Sequence, residues 1–145
     1  MNNNSHYTFN EGKIILPENY IDRTVHALID DISNKPGINI SRDKLSDNQT
    51  LDDYLDEQYQ QLIAKMVGWE QEPRKQIFLG EDRIPGQEIT FSFLRQPEHR
   101  LWQKQAVFVI GDKDVLVFSL SKVSAFDEND QSLLDGMLQS FIPNT

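Results

Sequence analysis

The sequence predicts an α+β protein: an antiparallel β-sheet accompanied by two main helices. Three observations lead there. Residues 101–120, LWQKQAVFVIGDKDVLVFSL, hold two apolar runs, 106–110 and 115–120, around the polar knot Gly111-Asp112-Lys113-Asp114. Runs rich in Val, Ile and Phe on either side of a Gly/Asp turn read as a β-hairpin. Two further stretches, one opening at Thr50 and one near Asp127, place apolar residues on a helical stripe. Shorter stretches such as Ile38-Asn39-Ile40-Ser41 alternate with the period of a strand.

A chain of 145 residues is the size of one domain and long enough to bury most of the surface its unfolded form exposes. A net charge of −9 argues against nucleic acid and against an anionic membrane surface as partner, since both are polyanions. With no cysteine there is no disulfide, thiolate metal site or cysteine nucleophile. The opening MNNNSHYTF has neither a basic nor an apolar segment of the kind a secretory signal needs. No apolar run approaches the ~20 residues of a membrane-spanning helix. The expectation is a cytoplasmic protein that does not insert into membranes, with residues 1–8 a flexible tail and residues 9–143 a single domain.

In chain order, residues 13–16 form a short strand stopped by Pro17, and residues 24–29 (TVHALI) a second, with Val25, Ala27 and Ile29 on one face. Residues 30–37 collect Asp, Ser, Asn, Pro and Gly and read as a loop. The strand from Ile38 to Asp43 turns Ile38 and Ile40 one way, and Asn39 and Ser41 the other, with Gly37 in step. A face of Gly, Asn and Ser either meets water or leaves room for a close approach. Thr50-x-x-Asp53 resembles a capping box, with Asp in place of the usual Glu or Gln, and opens a helix to about Val67, with Gly68 placed to end it. Its stripe is Leu51, Tyr54, Leu55, Leu62, Ile63 and Met66, with Gln58 in the middle, a position that also suits a boundary amide in water. Residues 69–79 make an edge strand interrupted by Pro73. Pro85-Gly86 marks a turn, residues 89–94 are a strand, and Gln96-Pro97-Glu98-His99 turns into the hairpin. The last helix starts at Asp127 or a neighbour, carries Leu133, Leu134, Met137, Leu138 and Phe141, and is followed by Pro143.

Neither arm of the hairpin alternates cleanly, so both of its faces need cover. With Asp112 and Lys113 as a two-residue turn, Gln105, Val107 and Val109 oppose Leu120, Phe118 and Leu116. With Arg95 opposite Arg100, Thr90 and Ser92 oppose Gln105 and Gln103. One face then gathers Ile89, Phe91, Phe93, Ala106, Phe108, Ile110, Val115 and Val117. The other carries Thr90, Ser92, Gln103 and Gln105 beside Val107, Val109, Leu116 and Phe118. Two coverings fit this pattern: one helix on each face with nothing left over, or an open second face for a mostly apolar guest with a few polar groups.

No catalytic constellation is present. His6, His26 and His99 have no ligand spacing. Asp52, Asp53, Asp56 and Glu57 suit the start of a helix, where negative charge favours the dipole. The run from Asp127 lacks the sixth-position glycine of a calcium loop, having Ser132 there. Phosphate loops and nucleophile elbows are missing. The sequence reading is therefore a non-enzyme with no cofactor and no metal.

With these residues in view, the chain resembles the Eag family of type VI secretion chaperones, whose domain is related to DcrB. The resemblance rests on Ile40-Ser41-Arg42-Asp43, Asp53-Tyr54-x-x-x-Gln58 and Gln105, with Ile14-Ile15-Leu16-Pro17 before them and Phe141-Ile142-Pro143 after. It implies a curved antiparallel sheet with helices, like DcrB, PsbP and Mog1, usually paired as a homodimer. It implies as partner the N-terminal transmembrane helices, and the segment before PAAR, of a PAAR-containing effector, often with an Rhs toxin. The contact positions it implies are Val25, Ala27, Gly37, Asn39, Ser41, Gln58 and Gln105; Gly37 and Asn39 depart from the family's usual small hydroxyl and apolar residues. The strand register adds Thr90, Ser92 and Gln103. A reading of another class is an immunity or inhibitor protein that binds a toxin domain, for which an acidic chain suits a basic target.

Overall fold

The computed structural model describes residues 6–9, 11–15, 25–29 and 35–144. In chain order the elements are β1 (His6–Phe9), β2 (Gly12–Ile15), β3 (His26–Leu28), β4 (Gly37–Lys44), α1 (Leu51–Lys65), β5 (Val67–Gln71), β6 (Lys75–Leu79), β7 (Ile84–Gln96), β8 (His99–Ile110), β9 (Asp114–Lys122) and α2 (Glu128–Gln139). Among the described residues, seven strands form a curved antiparallel sheet in the order β3-β4-β9-β8-β7-β5, with β6 also paired to β7, and two helices complete an α+β fold. Strand β1, of which His6 to Thr8 were assigned to the tail by the sequence reading, pairs with β2 in a separate two-stranded sheet.

Both helices start where the sequence places them. Thr50 Oγ1 accepts the Asp53 N–H at 3.1 Å, and Asp53 Oδ2 accepts the Thr50 N–H at 3.1 Å. Asp127 and Asp130 repeat the arrangement at α2, at 3.0 and 2.9 Å. The end of α1 differs from expectation. Met66 caps it, and Gly68, with φ of 68°, lies inside β5, where its carbonyl accepts a hydrogen bond from Arg100.

Each face of the sheet carries one helix. Tyr54, Leu55 and Tyr59 of α1 pack with Ile89, Phe91, Phe93, Val107, Val115 and Val117. Leu134 and Leu138 of α2 pack with Leu79, Ala106, Phe108, Phe118 and Leu120. Two edge segments, β5 and β6, lie along β7 with Pro73 between them, as a proline in an edge strand requires. The Pro85-Gly86 turn is a misreading. The chain turns at residues 80–83, and Gly86 lies within β7 opposite Phe108. A Cβ on Gly86 would come 2.4 Å from the Phe108 ring, so the glycine is there for close packing.

Both hairpin registers differ from expectation by one residue. The turn after β8 has three residues, Gly111, Asp112 and Lys113, so Gln105 opposes Ser119 and Val107 opposes Val117. Between β7 and β8 the tip pairs Gln96 with His99, as a four-residue turn predicts. An irregularity at Arg95 then shifts the ladder, so that Leu94 opposes Arg100 and Phe91 opposes Gln103. Since side chains alternate, a one-residue shift moves a whole set to the other face. Ala106, Phe108 and Ile110 therefore sit on the α2 face, away from Phe91 and Val117.

Candidate binding groove

Strand register builds the site from small parts. One row runs across five strands on the α1 face: Ala27, Asn39, Ser119, Gln105 and Ile89. The next row, ~7 Å along the strands, is Gly37, Ser121, Gln103 and Phe91. On the other side lies the row Ser41, Val117, Val107 and Gln87. In the first two rows the β7 end, Ile89 and Phe91, lies in the α1 core; in the third that core takes Val117 and Val107, and the β7 end is Gln87. Toward β4 and β3 the rows turn to Ser, Asn, Gly and Ala, where Asn39, Ala27 and Val25 are exposed.

The polar groups here have little to bond to. Gln105 Nε2 donates to Gln103 Oε1 at 3.5 Å, a long contact that leaves the second half of each amide unused. Among the described residues, the side chains of Asn39, Ser41, Ser119, Ser121 and Gln58 make no hydrogen bond. Ser119 is only 8% exposed. Among the described residues the buried side-chain polar atom without a partner is the Tyr59 hydroxyl, so these amides and hydroxyls reach water and are free to exchange it for a ligand. Gln58 is half-buried on α1, the helix that packs on this face.

The sequence-predicted site thus divides. Ala27, Gly37, Asn39, Ser41, Gln103 and Gln105 share one face, and Val25 precedes β3 in the same alternation. Thr90 and Ser92 do not belong to it. They oppose Lys104 and Trp102 on the α2 face, where both are buried, with Thr90 bonded to Lys104 and Ser92 to Arg100. The shift at Arg95 is the physical reason. Ser119 and Ser121 were missed; their signal was Ser-Leu-Ser alternation at the end of an apolar strand. Among the described residues there is no group of three or more potential ligands that could hold a metal.

An antiparallel sheet with a helix on each face, one face left partly open along polar rows, defines an α+β domain of DcrB-like architecture. The DcrB family model matches residues 11–140, and the chain belongs to that family. No curated protein matches it. Among solved structures it is similar to the Pseudomonas aeruginosa protein of unknown function PA94, with a TM-score of 0.68 and 16% identity, over 97% of each chain. At that identity the likeness speaks for the fold. No helix among the described residues is long and apolar enough to cross a membrane.

Proposed function

We propose that this DcrB-family protein is a chaperone of the Eag type. It works as a cytoplasmic homodimer that holds the N-terminal transmembrane helices and pre-PAAR segment of a type VI secretion effector until export. The observation that carries the reading is the set of polar groups open to a ligand, Asn39, Ser119, Ser121, Gln103 and Gln105, set in register beside apolar sheet surface. A transmembrane helix in water needs cover for its side chains and partners for its few polar groups. An apolar sheet that also presents amides and hydroxyls offers both. The ordered residues Ile40 to Asp43, Tyr54, Gln58 and Gln105, which resemble the Eag pattern, support the same reading, as does membership of the DcrB family.

The test is co-expression with the N-terminal helices of a PAAR-containing effector from the same cells, and separately with its toxin domain. Solubilisation of the helices alone is the expected result. Binding to the toxin domain alone would replace this reading with that of an immunity protein, for which the net charge of −9 would suit a basic target.

A further inference from the structure

Behind the groove, on the α2 face of the same strands, lies a buried ionic cluster. Lys104, 5% exposed, stands between Gln103 and Gln105 in β8 and projects to the opposite face. Its ammonium donates to Thr90 Oγ1 at 2.9 Å, lies 3.5 Å from Glu88 Oε2, and sits 5.6 Å from the centroid of the Phe126 ring. Glu88 is 2% exposed and its other oxygen accepts from Gln131 Nε2 of α2 at 3.1 Å. A buried ion pair is a poor source of stability, since apolar residues of the same size often serve as well. Its best attested use is to select one register among several.

This sheet needs such a selector. Register is ordinarily set by one apolar and one polar face, but β8 carries Val107 and Val109 on one side and Ala106, Phe108 and Ile110 on the other. The turn does not decide it either. At the tip, Gln96 opposes His99; carried on without the shift at Arg95, that pairing would set Ser92 opposite Gln103 and Phe91 opposite Lys104. Glu88 would then oppose Val107, and Glu88 and Lys104 would leave the sheet by opposite faces. The ammonium would lie among the aromatic rings under α1, a heavy penalty for an unpaired charge.

We propose that Glu88, Thr90 and Lys104 form a register lock, which selects the shifted pairing of β7 with β8 and so holds Gln103 and Gln105 on the groove face. They are positioning residues for the groove. The inference rests on the sheet alone and holds whichever partner the groove takes.

Cross-strand NMR contacts read the register directly. The wild-type protein should show one set, with Gln103 opposite Phe91. The variant Glu88→Leu/Thr90→Val/Lys104→Met keeps the volume of the cluster and removes its polarity. It should remain folded and show a second set, with Gln103 opposite Ser92, in at least about a tenth of the molecules. A single native set in that variant overturns the proposal. The exchanged pair Glu88→Lys/Lys104→Glu restores the cross-strand attraction and should show the native set alone, so two sets in it would equally refute the lock. If neither variant folds, the cluster is ordinary core and the lock is refuted as well.

Discussion

Tyr59 is 7% exposed, with its ring edge-on to Trp69 at 5.7 Å and to Phe91 at 6.5 Å, and its hydroxyl is buried without a hydrogen-bond partner. Burial raises its pKa from 10.0, and the Arg74 guanidinium, 5.1 Å above the ring, opposes the rise only in part. An acid with a raised folded pKa is ionised first in the unfolded chain. Stability therefore falls as pH climbs past about 10. Tyr59→Phe should remove that alkaline loss and match or exceed the wild type at neutral pH by up to about 1 kcal/mol. Urea midpoints at about pH 8 and pH 11 decide it. Phe108 is fully buried, against Phe118 and over Gly86. Phe108→Ala should cost about 3–5 kcal/mol. Gln105→Ala should change stability by less than about 0.5 kcal/mol while weakening the guest complex. Equal losses of melting temperature in the two variants would show that Gln105 belongs to the core.

The two helices are held by the same device at different strengths. At α1 the capping box is solvent-facing, and Thr50→Ala should cost about 1 kcal/mol, read as a shift in urea midpoint. At α2 the box is joined to the sheet, since Lys122 Nζ donates to Asp130 Oδ2 at 2.8 Å and lies 3.7 Å from Asp127 Oδ2. The Asp130 backbone N–H, before any other contact, holds the Asp127 carboxyl below its ordinary range. A group with a depressed folded pKa contributes stability above its unfolded value, and that contribution disappears as pH falls through the folded one. The α2 start should therefore loosen below about pH 4. Amide exchange in α2, corrected for intrinsic rates, should show this opening in the wild type. Asp127→Asn should be less protected at neutral pH and should not loosen further with acid. An unchanged acid response in that variant would mean another carboxylate is responsible.

Taken whole, the two faces of the sheet are filled differently. The α2 face is filled by Phe108, Phe118, Leu120, Leu134 and Leu138. The α1 face is filled from β7 across to Val115 and Val117 of β9, and at β4 it presents Ser41, Asn39 and Gly37. A bulky charge placed there should block a guest without unfolding the host. Ser41→Arg would set a guanidinium where an apolar helix must lie, while in the free protein the side chain can reach water. Its melting curve should barely move, and co-purified effector should be lost. Arg42 is turned to the other face, with Nη1 3.4 Å from His26 Nδ1. Arg42→Ala should leave the complex intact. Wild-type recovery of effector with Ser41→Arg would show that the groove is not the binding surface.

Local signals in the sequence placed both helix starts and most of the strands, but missed β1 and set a turn inside β7. Thr50 and Asp127 mark helix starts through bonds made within four residues, and Pro73 divides an edge because it lacks a donor whatever its surroundings. The face bearing Gly37, Asn39 and Ser41 was legible for the same reason, since alternation within one strand depends on no other strand. Register was not legible. It turns on one extra residue at Arg95 and on a three-residue turn at Gly111, and apolar residues on both faces of β8 remove the pattern that would have shown either. Hence Thr90 and Ser92 were assigned to the groove and Ser119 and Ser121 were not. Gly86 read as a turn because its real cause, the Phe108 ring, lies 22 residues away in the sequence and is met only across the sheet. What a residue does to its own backbone is written locally, but which residues share a face was decided by strands meeting in three dimensions.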